Sequence, residues 1–429
     1  MMSSNYRNKI SIDFLLQTQW YSPEQIAELR LEGLKQLVNH AKNHTVYYQN
    51  IPEIESLDDL SKIPILTKKN IKENFSALTA NNIKSNRGWT GGTSEQMEFL
   101  KDADLQPFIP CEQRFHTWYL ISLQTRPCTI WGAGELGFTE PRTIGKRLYL
   151  PIESMVDEIS TLTYLNIINK HEADSIRGYA SALVALSYYK LKHDLEIPTV
   201  KIIVNNCEPF PAQIRKIVED AFHVPVFNFY GSQDLGSMGG DCEKHEGLHL
   251  CAERYILEVM DDGRLIWTDL LNYAMPLIRY ENGDVGSLQN KPCSCGRGLP
   301  LLGDIVGRTL NYLWQKNGTW LNSTEINEHM YYDIPNFLSL VAAHQIQQDE
   351  QGKIVIRLKV WDEDKLPNMQ IITDYFKNNL DITVQYVDVM VRSRSGKQLA
   401  CITKFRPPWV GKNNFDETQG IERRGERSQ

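Results

Sequence analysis

The chain has 429 residues, of which 41% are apolar and 23% charged, and its 46 basic and 53 acidic residues give a formal net charge of −7. This apolar fraction excludes a chain that is disordered throughout, and the acidic balance argues against a nucleic-acid partner. No apolar run approaches the roughly 20 residues that cross a bilayer, so we expect no membrane partner. The N-terminus lacks the apolar region of a secretory signal, and we therefore expect a cytoplasmic protein.

The N-terminal half alternates between helical and loop patterns. Residues 22–45 have apolar side chains at helical spacing behind Ser22, a favoured N-cap residue, and predict a helix. Residues 56–75 predict a short helix, an extended link and a second helix. Residues 87–100 form a loop rich in Gly, Thr and Ser that leads into an apolar stretch, and residues 155–200 predict two amphipathic helices around a short strand.

The centre of the chain predicts a parallel βαβ unit, with a strand, a helix and a strand over residues 200–231. Functional loops follow the carboxyl ends of such strands, so the loops at Glu208 and Tyr230 are candidates. Residues 252–290 predict strands with a hairpin turn at Asp262-Gly263. The order after about position 307 predicts a small α+β domain, and the polar tail from residue 411 is expected to be disordered.

The eight cysteines are too few for a disulfide scaffold in a chain of this length. Four of them lie between positions 242 and 295, and this clustering indicates a metal site, because three thiolates and one imidazole form a closed structural zinc site. The predicted ligands are Cys242, His245, Cys293 and Cys295. His249 and Cys251 are spare candidates for ligands. The alternative that these residues bind no metal also stays open. We expect Cys111, Cys128 and Cys401 to behave as small buried hydrophobic residues.

Three further motifs carry polar chemistry. Thr90-Gly91-Gly92-Thr93-Ser94 can cradle phosphate oxygens, although an ordinary polar turn has the same composition. The loop from Tyr230 to Asp234, followed by Asp284, offers an aromatic ring for a purine and carboxylates for ribose and Mg²⁺, or simply strand-end turns with local caps. Lys397 lies in a basic loop and could reach a developing negative charge, or lie in a solvated turn.

In this order the motifs resemble those of the adenylate-forming (acyl-activating) superfamily, most closely its phenylacetate–CoA ligase and CapK-like branch. The most specific stretch begins at Tyr230 and ends at Arg308. The resemblance implies an α/β fold with a large N-terminal adenylate-forming domain of mixed sheets and helices, and a small α+β C-terminal domain. Its boundaries would be residues 1–306, including the zinc-binding segment 242–295, a mobile lid over residues 307–410, and the tail 411–429.

The resemblance also implies roles for individual residues. Lys397 would be the adenylation lysine, and Asp234 would be a catalytic carboxylate that holds Mg²⁺. Gly307-Arg308 would begin the hinge to the lid. The implied nucleotide-binding residues are Thr90, Gly91, Gly92, Thr93, Ser94, Glu208, Tyr230, Gly231, Ser232, Asp284 and Arg308.

The implied activity is that of an AMP-forming acid–CoA ligase. ATP would activate a small-molecule carboxylic acid as an acyl-adenylate, and CoA would then take the acyl group as a thioester. Aromatic side chains suit an aryl or arylacetic acid, and Trp131, Phe138 and Tyr179 are candidates for that pocket or equally for the core. A homodimer is what the resemblance suggests for assembly.

Some positions depart from the family pattern and keep two alternatives open. The loop after Thr90 lacks the family's later Gly and its Pro, Asp234 replaces a Glu, and Leu310 replaces the hinge Asp. One alternative is an adenylating enzyme that passes its acyl group to a carrier protein or an amine in natural-product or polysaccharide biosynthesis. The other is a non-catalytic, zinc-stabilised nucleotide-binding protein.

Overall fold

The computed structural model describes residues 6–90, 97–103, 109–119, 126–155, 157–308, 311–392, 398–405 and 407. The α-helices are α1 (Tyr6–Lys9), α2 (Ile12–Thr18), α3 (Pro23–His44), α4 (Lys68–Glu73), α5 (Phe75–Leu78), α6 (Ile109–Trp118), α7 (Ala133–Leu136), α8 (Glu158–Lys170), α9 (Ala180–Lys192), α10 (Ala212–Phe222), α11 (Ser323–Asp333), α12 (Phe337–Leu340) and α13 (Gln370–Phe376). The first strands are β1 (Ser85–Trp89), β2 (Glu98–Asp102), β3 (Pro127–Trp131), β4 (Arg142–Ile144), β5 (Arg147–Pro151), β6 (Ser175–Gly178), β7 (Ile202–Asn206), β8 (Val226–Ser232), β9 (Gly236–Gly240) and β10 (Leu248–Leu250). The later strands are β11 (Tyr255–Val259), β12 (Arg264–Asp269), β13 (Tyr280–Leu288), β14 (Leu301–Arg308), β15 (Tyr312–Trp314), β16 (Trp320–Asn322), β17 (Val341–Glu350), β18 (Lys353–Val360), β19 (Asp381–Tyr386) and β20 (Cys401–Thr403).

Local sequence signals account for several of these elements. Helix α3 starts with a capping box, in which the Ser22 side chain accepts from the Gln25 backbone and the Gln25 side chain accepts from the Ser22 backbone. The hairpin predicted at Asp262-Gly263 joins the antiparallel strands β11 and β12, with Gly263 at a φ of 81°, where glycine has no steric penalty. Both predictions are confirmed. They could be made from the sequence because each depends only on residues close together in the chain.

The described contacts divide the chain into two compact units. The first unit contains Met1–Thr90, Gln96–Leu123 and Phe227–Ile305. Its main sheet has the strand order β11-β12-β13-β14-β10-β9-β8, and β8–β9, β9–β10 and β10–β14 pair antiparallel. Large buried side chains, including Tyr6, Trp267 and Tyr280, form its core.

The second unit contains Gly91–Glu95, Gln124–Val226 and Val306–Gln429. Strands β7, β6, β3 and β5 follow one another in parallel, and β4 adds an antiparallel edge. A second sheet has the order β19-β18-β17-β20. The two sheets have separate hydrophobic clusters, one within residues 128–226 and the other within residues 313–401.

Several sequence-based predictions fall on residues outside the part of the chain that the structure describes. The predicted tail from residue 411 is one of them. In the part of the chain that is described, we find no helix with the length and apolar character needed to span a membrane.

Candidate active site

Asp284 is held in a small hydrogen-bond network in the first unit. Its Oδ2 accepts from the Tyr230 hydroxyl at 2.6 Å and from Asn282 Nδ2 at 2.7 Å. Asn282 also donates to the Tyr230 oxygen at 3.0 Å. Asn282 is buried, whereas Tyr230 and Asp284 are half-buried. The carboxylate therefore has a fixed orientation, and a carboxylate has the capacity to accept further hydrogen bonds, such as those from vicinal hydroxyls.

Asp234 is a buried carboxylate, only 4% exposed, in the turn between β8 and β9. The Tyr280 hydroxyl donates to its Oδ2 at 2.6 Å, and the Leu235 backbone N–H donates to Oδ1 at 3.2 Å. Burial alone raises its pKa, but the charge of Lys68 and hydrogen bonds from Ser232 and Tyr280 together hold the pKa of Asp234 below its ordinary value. Asp234 is therefore ionised at neutral pH, as a ligand for Mg²⁺ must be.

Gly231 and Ser232 shape the turn that carries Asp234. A Cβ added at Gly231 would lie 2.6 Å from the carbonyl oxygen of Gly236, so a larger residue would displace the strand. The Ser232 hydroxyl accepts from the Leu235 backbone N–H at 3.2 Å. The contacts that the structure shows for these two predicted nucleotide-binding residues are thus contacts within the turn.

Thr90 directly follows β1, which pairs with β2 in an antiparallel hairpin. Its backbone N–H donates to the Met97 carbonyl, and its hydroxyl accepts from the Met97 N–H, both at 2.9 Å. The Thr90 hydroxyl therefore closes the base of the predicted phosphate loop. Of the other predicted site residues, Gly91, Gly92, Thr93, Ser94 and Lys397 lie outside the described residues, and Arg308 ends β14.

Lys101, in β2, is a titratable group that the sequence did not single out. Burial lowers its pKa to about 7, and the positive charge of Arg254 adds to this effect, whereas Asp234 and Asp269 oppose it. A lysine whose pKa is lowered beside a predicted catalytic carboxylate is a candidate functional group.

Glu208 lies in the second unit, in the loop after β7. Its carboxylate accepts from the backbone N–H of Ser181 at 2.8 Å and from the Ser181 hydroxyl at 3.2 Å, at the N-terminus of α9. The backbone N–H of Gln398 also donates to Glu208 Oε1, at 3.1 Å. A carboxylate at the positive end of a helix is electrostatically favoured. The described contacts of the Glu208 carboxylate are thus with α9 and with the segment that begins at Gln398.

Two of the predicted pocket aromatics lie together in the same unit. The rings of Trp131 and Tyr179 are stacked at 5.1 Å, and Trp131 donates to Glu135. The Gly132 backbone N–H donates to the Tyr179 hydroxyl at 3.3 Å. The Phe138 ring instead lies in a T-shaped arrangement with the Tyr149 ring, with the two centroids 6.2 Å apart. Trp131 and Tyr179 therefore form an aromatic wall beside the carboxyl end of β3.

A second site in the first unit is the Cys/His group, defined by Cys242, His249, Cys293 and Cys295, whose ligand atoms all lie within 4.8 Å of one another. Cys242 Sγ is 3.7 Å from Cys293 Sγ, and Cys295 Sγ is 3.4 Å from His249 Nε2. Tetrahedral zinc bonds of the usual length place two sulfurs about 3.8 Å apart, and a sulfur and a nitrogen about 3.6 Å apart. The donor set and its spacing therefore fit a structural zinc ion.

The histidine of this group is His249 rather than the predicted His245. The Nδ1 atom of His245 lies 2.7 Å from the Asp241 carboxylate, outside the Cys/His group. His249 belongs to β10, which pairs with β9 on one side and β14 on the other. Cys242 follows β9, and the other two cysteines precede β14, so strand pairing brings His249 and not His245 to the thiols.

Two other cysteines also differ from the sequence prediction. Cys111 was expected to be a small hydrophobic residue and Cys251 a spare ligand, but their sulfurs form a disulfide. Arg114 donates to Cys251 Sγ at 3.3 Å and pairs with the buried Glu253 at 2.7 Å. This pairing links α6 to the segment after β10, across 140 positions of sequence.

Sequence reasoning missed the partners of the two carboxylates. Tyr280 and Asn282 both lie in the stretch Arg279-Tyr280-Glu281-Asn282-Gly283-Asp284, but nothing local indicates which carboxylate each one contacts. The available signal is strand alternation, which places Asn282 and Asp284 on one face of β13.

Known proteins place these sites in context. No family model matches the chain. The phenylacetate-coenzyme A ligase of Thermus thermophilus is 25% identical over 330 residues, covering 67% of this chain and 71% of that protein. Protein CapK of Staphylococcus aureus is 20% identical over 412 residues, covering 88% of this chain and 89% of that protein.

A solved structure of a 2-hydroxyisobutyryl-CoA ligase, in the postadenylation state with R3-HIB-AMP, aligns with a TM-score of 0.71 at 15% identity over 90% of each chain. The fold is therefore the mixed α/β fold of adenylate-forming ligases, as the sequence predicted. Within that class, the chain is similar to the phenylacetate–CoA ligase and CapK branch.

Proposed function

We propose that this protein is an AMP-forming acid–CoA ligase. It activates a carboxylic acid, of the aryl or arylacetic class, as an acyl-adenylate and transfers the acyl group to CoA. The observation that carries the proposal is the pair of fixed carboxylates in an adenylate-forming fold, Asp284 held by Tyr230 and Asn282, and Asp234 held by Tyr280. The similarity to a phenylacetate-coenzyme A ligase supports the acid class.

On the nucleotide side, Asp284 accepts hydrogen bonds from the two ribose hydroxyls, while the Tyr230 hydroxyl and Asn282 amide keep its carboxylate oriented. The Tyr230 ring lies against the adenine. Asp234 keeps its negative charge because its pKa is lowered, and it would be a ligand of Mg²⁺. The Mg²⁺ ion, when bound, neutralises charge on the phosphate oxygens.

In the first step an oxygen of the acid attacks the α-phosphorus, the bond from that phosphorus to the β-phosphate oxygen breaks, and pyrophosphate leaves. We assign to Lys397 the stabilisation of the negative charge that gathers on the α-phosphate in this transition state. In the second step the CoA sulfur attacks the acyl carbon as its thiol proton leaves, and AMP is the leaving group. The Trp131 and Tyr179 rings offer an apolar wall to an aromatic acid.

We also propose that the Cys/His group holds one structural zinc ion. Four protein ligands leave no open position for substrate, so the metal would stabilise the loop before β14 and take no part in acyl transfer. The backbone N–H groups of Lys244 and Arg297 donate to Cys242 Sγ and Cys295 Sγ, at 3.4 and 3.5 Å, and hydrogen bonds of this kind orient the sulfur ligands of a metal.

A carrier protein or an amine is the second candidate for the acyl acceptor. The match to CapK extends over 88% of the chain, whereas the match to the Thermus ligase extends over 67%. Because ATP, Mg²⁺ and CoA are intracellular reactants, the proposed reaction belongs in the cytoplasm.

Product analysis tests the proposal directly. The protein is incubated with ATP, Mg²⁺, CoA and one acid at a time from aryl, arylacetic and aliphatic sets, and products are identified by mass spectrometry. We expect acyl-CoA and AMP in equal amounts with an aryl or arylacetic acid. Acyl-adenylate without thioester would favour another acceptor, and ADP as the nucleotide product would contradict the proposal.

A further inference from the structure

Glu208 joins two segments of the second unit that are far apart in sequence. One of its carboxylate oxygens accepts from the Ser181 N–H at 2.8 Å, and the other accepts from the Gln398 N–H at 3.1 Å. Ser181 lies in the first turn of α9, whereas Gln398 directly follows Lys397 in the chain. A single carboxylate therefore connects a helix N-terminus to the segment beside the proposed adenylation lysine.

The segment that begins at Gln398 is also fixed from its other side. Gln398 Nε2 donates to the His344 carbonyl at 2.9 Å, and Gln345 Nε2 donates to the Leu399 carbonyl at 2.7 Å. His344 and Gln345 both belong to β17. The backbone of this segment is therefore held between β17 and Glu208. Gln398 is the residue that directly follows Lys397 in the sequence, so these contacts act on the immediate chain neighbour of the proposed adenylation lysine.

Other contacts of α9 support the same docking. The Tyr188 ring in α9 stacks on Trp361 at 4.0 Å with an interplanar angle of 9°. Burial raises the pKa of Tyr331 in α11, and the nearby charge of Glu208 contributes to this rise. Position 306 is the predicted boundary between the N-terminal domain and the lid. Elements from both sides of this boundary thus lie close to α9 and to Glu208, all within the second unit.

We propose that Glu208 is a positioning residue for the adenylation step, which fixes the segment next to Lys397 against the N-terminus of α9. This inference rests on the proposed function, and it gives Glu208 a role other than the nucleotide contact that the resemblance implies. Glu208 serves the step that uses Lys397, the attack on the α-phosphate. It is not required for ATP binding or for the attack of CoA on an acyl-adenylate that has already formed.

The test compares the two half-reactions in Glu208→Ala. We expect the rate of acid-dependent ATP–pyrophosphate exchange to fall about 10- to 100-fold, the size expected when hydrogen bonds to a charged group are lost. ATP binding by calorimetry and thioester formation from synthetic acyl-adenylate are expected to change less than about threefold. Glu208→Gln keeps one acceptor oxygen, so its exchange rate should lie between those of the wild type and Glu208→Ala.

A control variant separates positioning from a general effect on the unit. Glu158→Ala is the matched control, because Glu158 pairs with Lys192 and His193 at the other end of α9 and should affect neither half-reaction.

Hydrogen–deuterium exchange gives a readout that needs no activity. The peptide spanning residues 398–403 should exchange faster in Glu208→Ala than in the wild type, and at the wild-type rate in Glu158→Ala. Equal loss of both half-reactions, weakened ATP binding in proportion to the lost rate, or unchanged exchange of this peptide would overturn the proposal alone. A wild-type protein that activates no acid would overturn the proposed function as well.

Discussion

Two sites in the first unit are built from strand ends, yet they differ in the solvent exposure of the side chains that would bind a ligand. In the Cys/His group, Cys242 and His249 are fully buried, Cys293 is 5% exposed and Cys295 is half-buried, and the four ligand atoms lie within 4.8 Å of one another. In the carboxylate site, Asp234 is buried, but Asp284 is half-buried and accepts hydrogen bonds from two neutral donors.

The difference separates a permanent role from a transient one. A closed set of soft ligands binds one ion tightly and stabilises the fold, whereas a fixed but accessible carboxylate can bind and release a nucleotide in each cycle. We therefore expect changes at the carboxylates to alter activity and changes at the Cys/His group to alter stability.

The largest effect on activity is expected from Asp284→Ala. Losing both ribose hydrogen bonds to a charged acceptor should raise the KM for ATP in the exchange reaction by about 100-fold or more. The melting temperature should change by no more than a few degrees, since Asp284 is half-buried. Steady-state kinetics and thermal melting check the two halves of this prediction. A large loss of stability with an unchanged KM would reverse the comparison.

At the Cys/His group, the double variant Cys293→Ser/Cys295→Ser should lose its zinc. Metal content by plasma mass spectrometry should fall from about one zinc per chain to almost none, and the melting temperature should drop by about 10 °C or more, because structural zinc binding contributes directly to folding. His249→Ala should behave in the same way. His245→Ala is the matched control and should keep its zinc; metal loss in that variant alone would contradict the assignment of His249.

A smaller effect on activity is expected from Tyr280→Phe. This change removes the hydroxyl that donates to Asp234 while keeping the buried ring. Because that hydrogen bond helps to lower the pKa of Asp234, the pKa should rise, and the acid limb of the pH–rate profile should move to higher pH. We expect kcat to fall about tenfold. An unchanged acid limb would show that Asp234 does not control the rate.

The smallest effect is a pH-dependent gain in stability from Lys101→Met. The folded-state pKa of Lys101 is about 7, below its ordinary value of 10.5, so the unfolded chain binds more protons between these two values. The cost of burying Lys101 is therefore full below about pH 7 and fades as the pH rises towards 10.5. Lys101→Met should raise the melting temperature by a few degrees at pH 6.5 and by less at pH 9.5. A gain that grows with pH would contradict this assignment.

Features that depend on neighbouring residues could be predicted from the sequence. The capped helix α3 and the hairpin at Gly263 follow from local propensity, and both are present. The mixed α/β fold and the resemblance to adenylate-forming ligases came from motifs spread along the chain, and the comparisons confirm them.

Features that depend on long-range pairing could not be predicted. The spacing Cys-x2-His favours His245, but the pairing of β10 with β9 and β14 places His249 among the thiols. Likewise, Tyr230 and Asp284 belong to β8 and β13, which are not adjacent in the sheet order, so no local pattern shows that they share a hydrogen bond. The disulfide between Cys111 and Cys251 has the same long-range origin.

Acid-dependent ATP–pyrophosphate exchange tests the central claim most directly, because it reports formation of the acyl-adenylate whatever the final acceptor is. The account predicts exchange by the wild-type protein with an aryl or arylacetic acid, and loss of that exchange in Asp284→Ala at the same ATP concentration. If the protein still binds ATP but catalyses no exchange with any acid, the result would contradict catalysis. It would leave a nucleotide-binding protein stabilised by its Cys/His group.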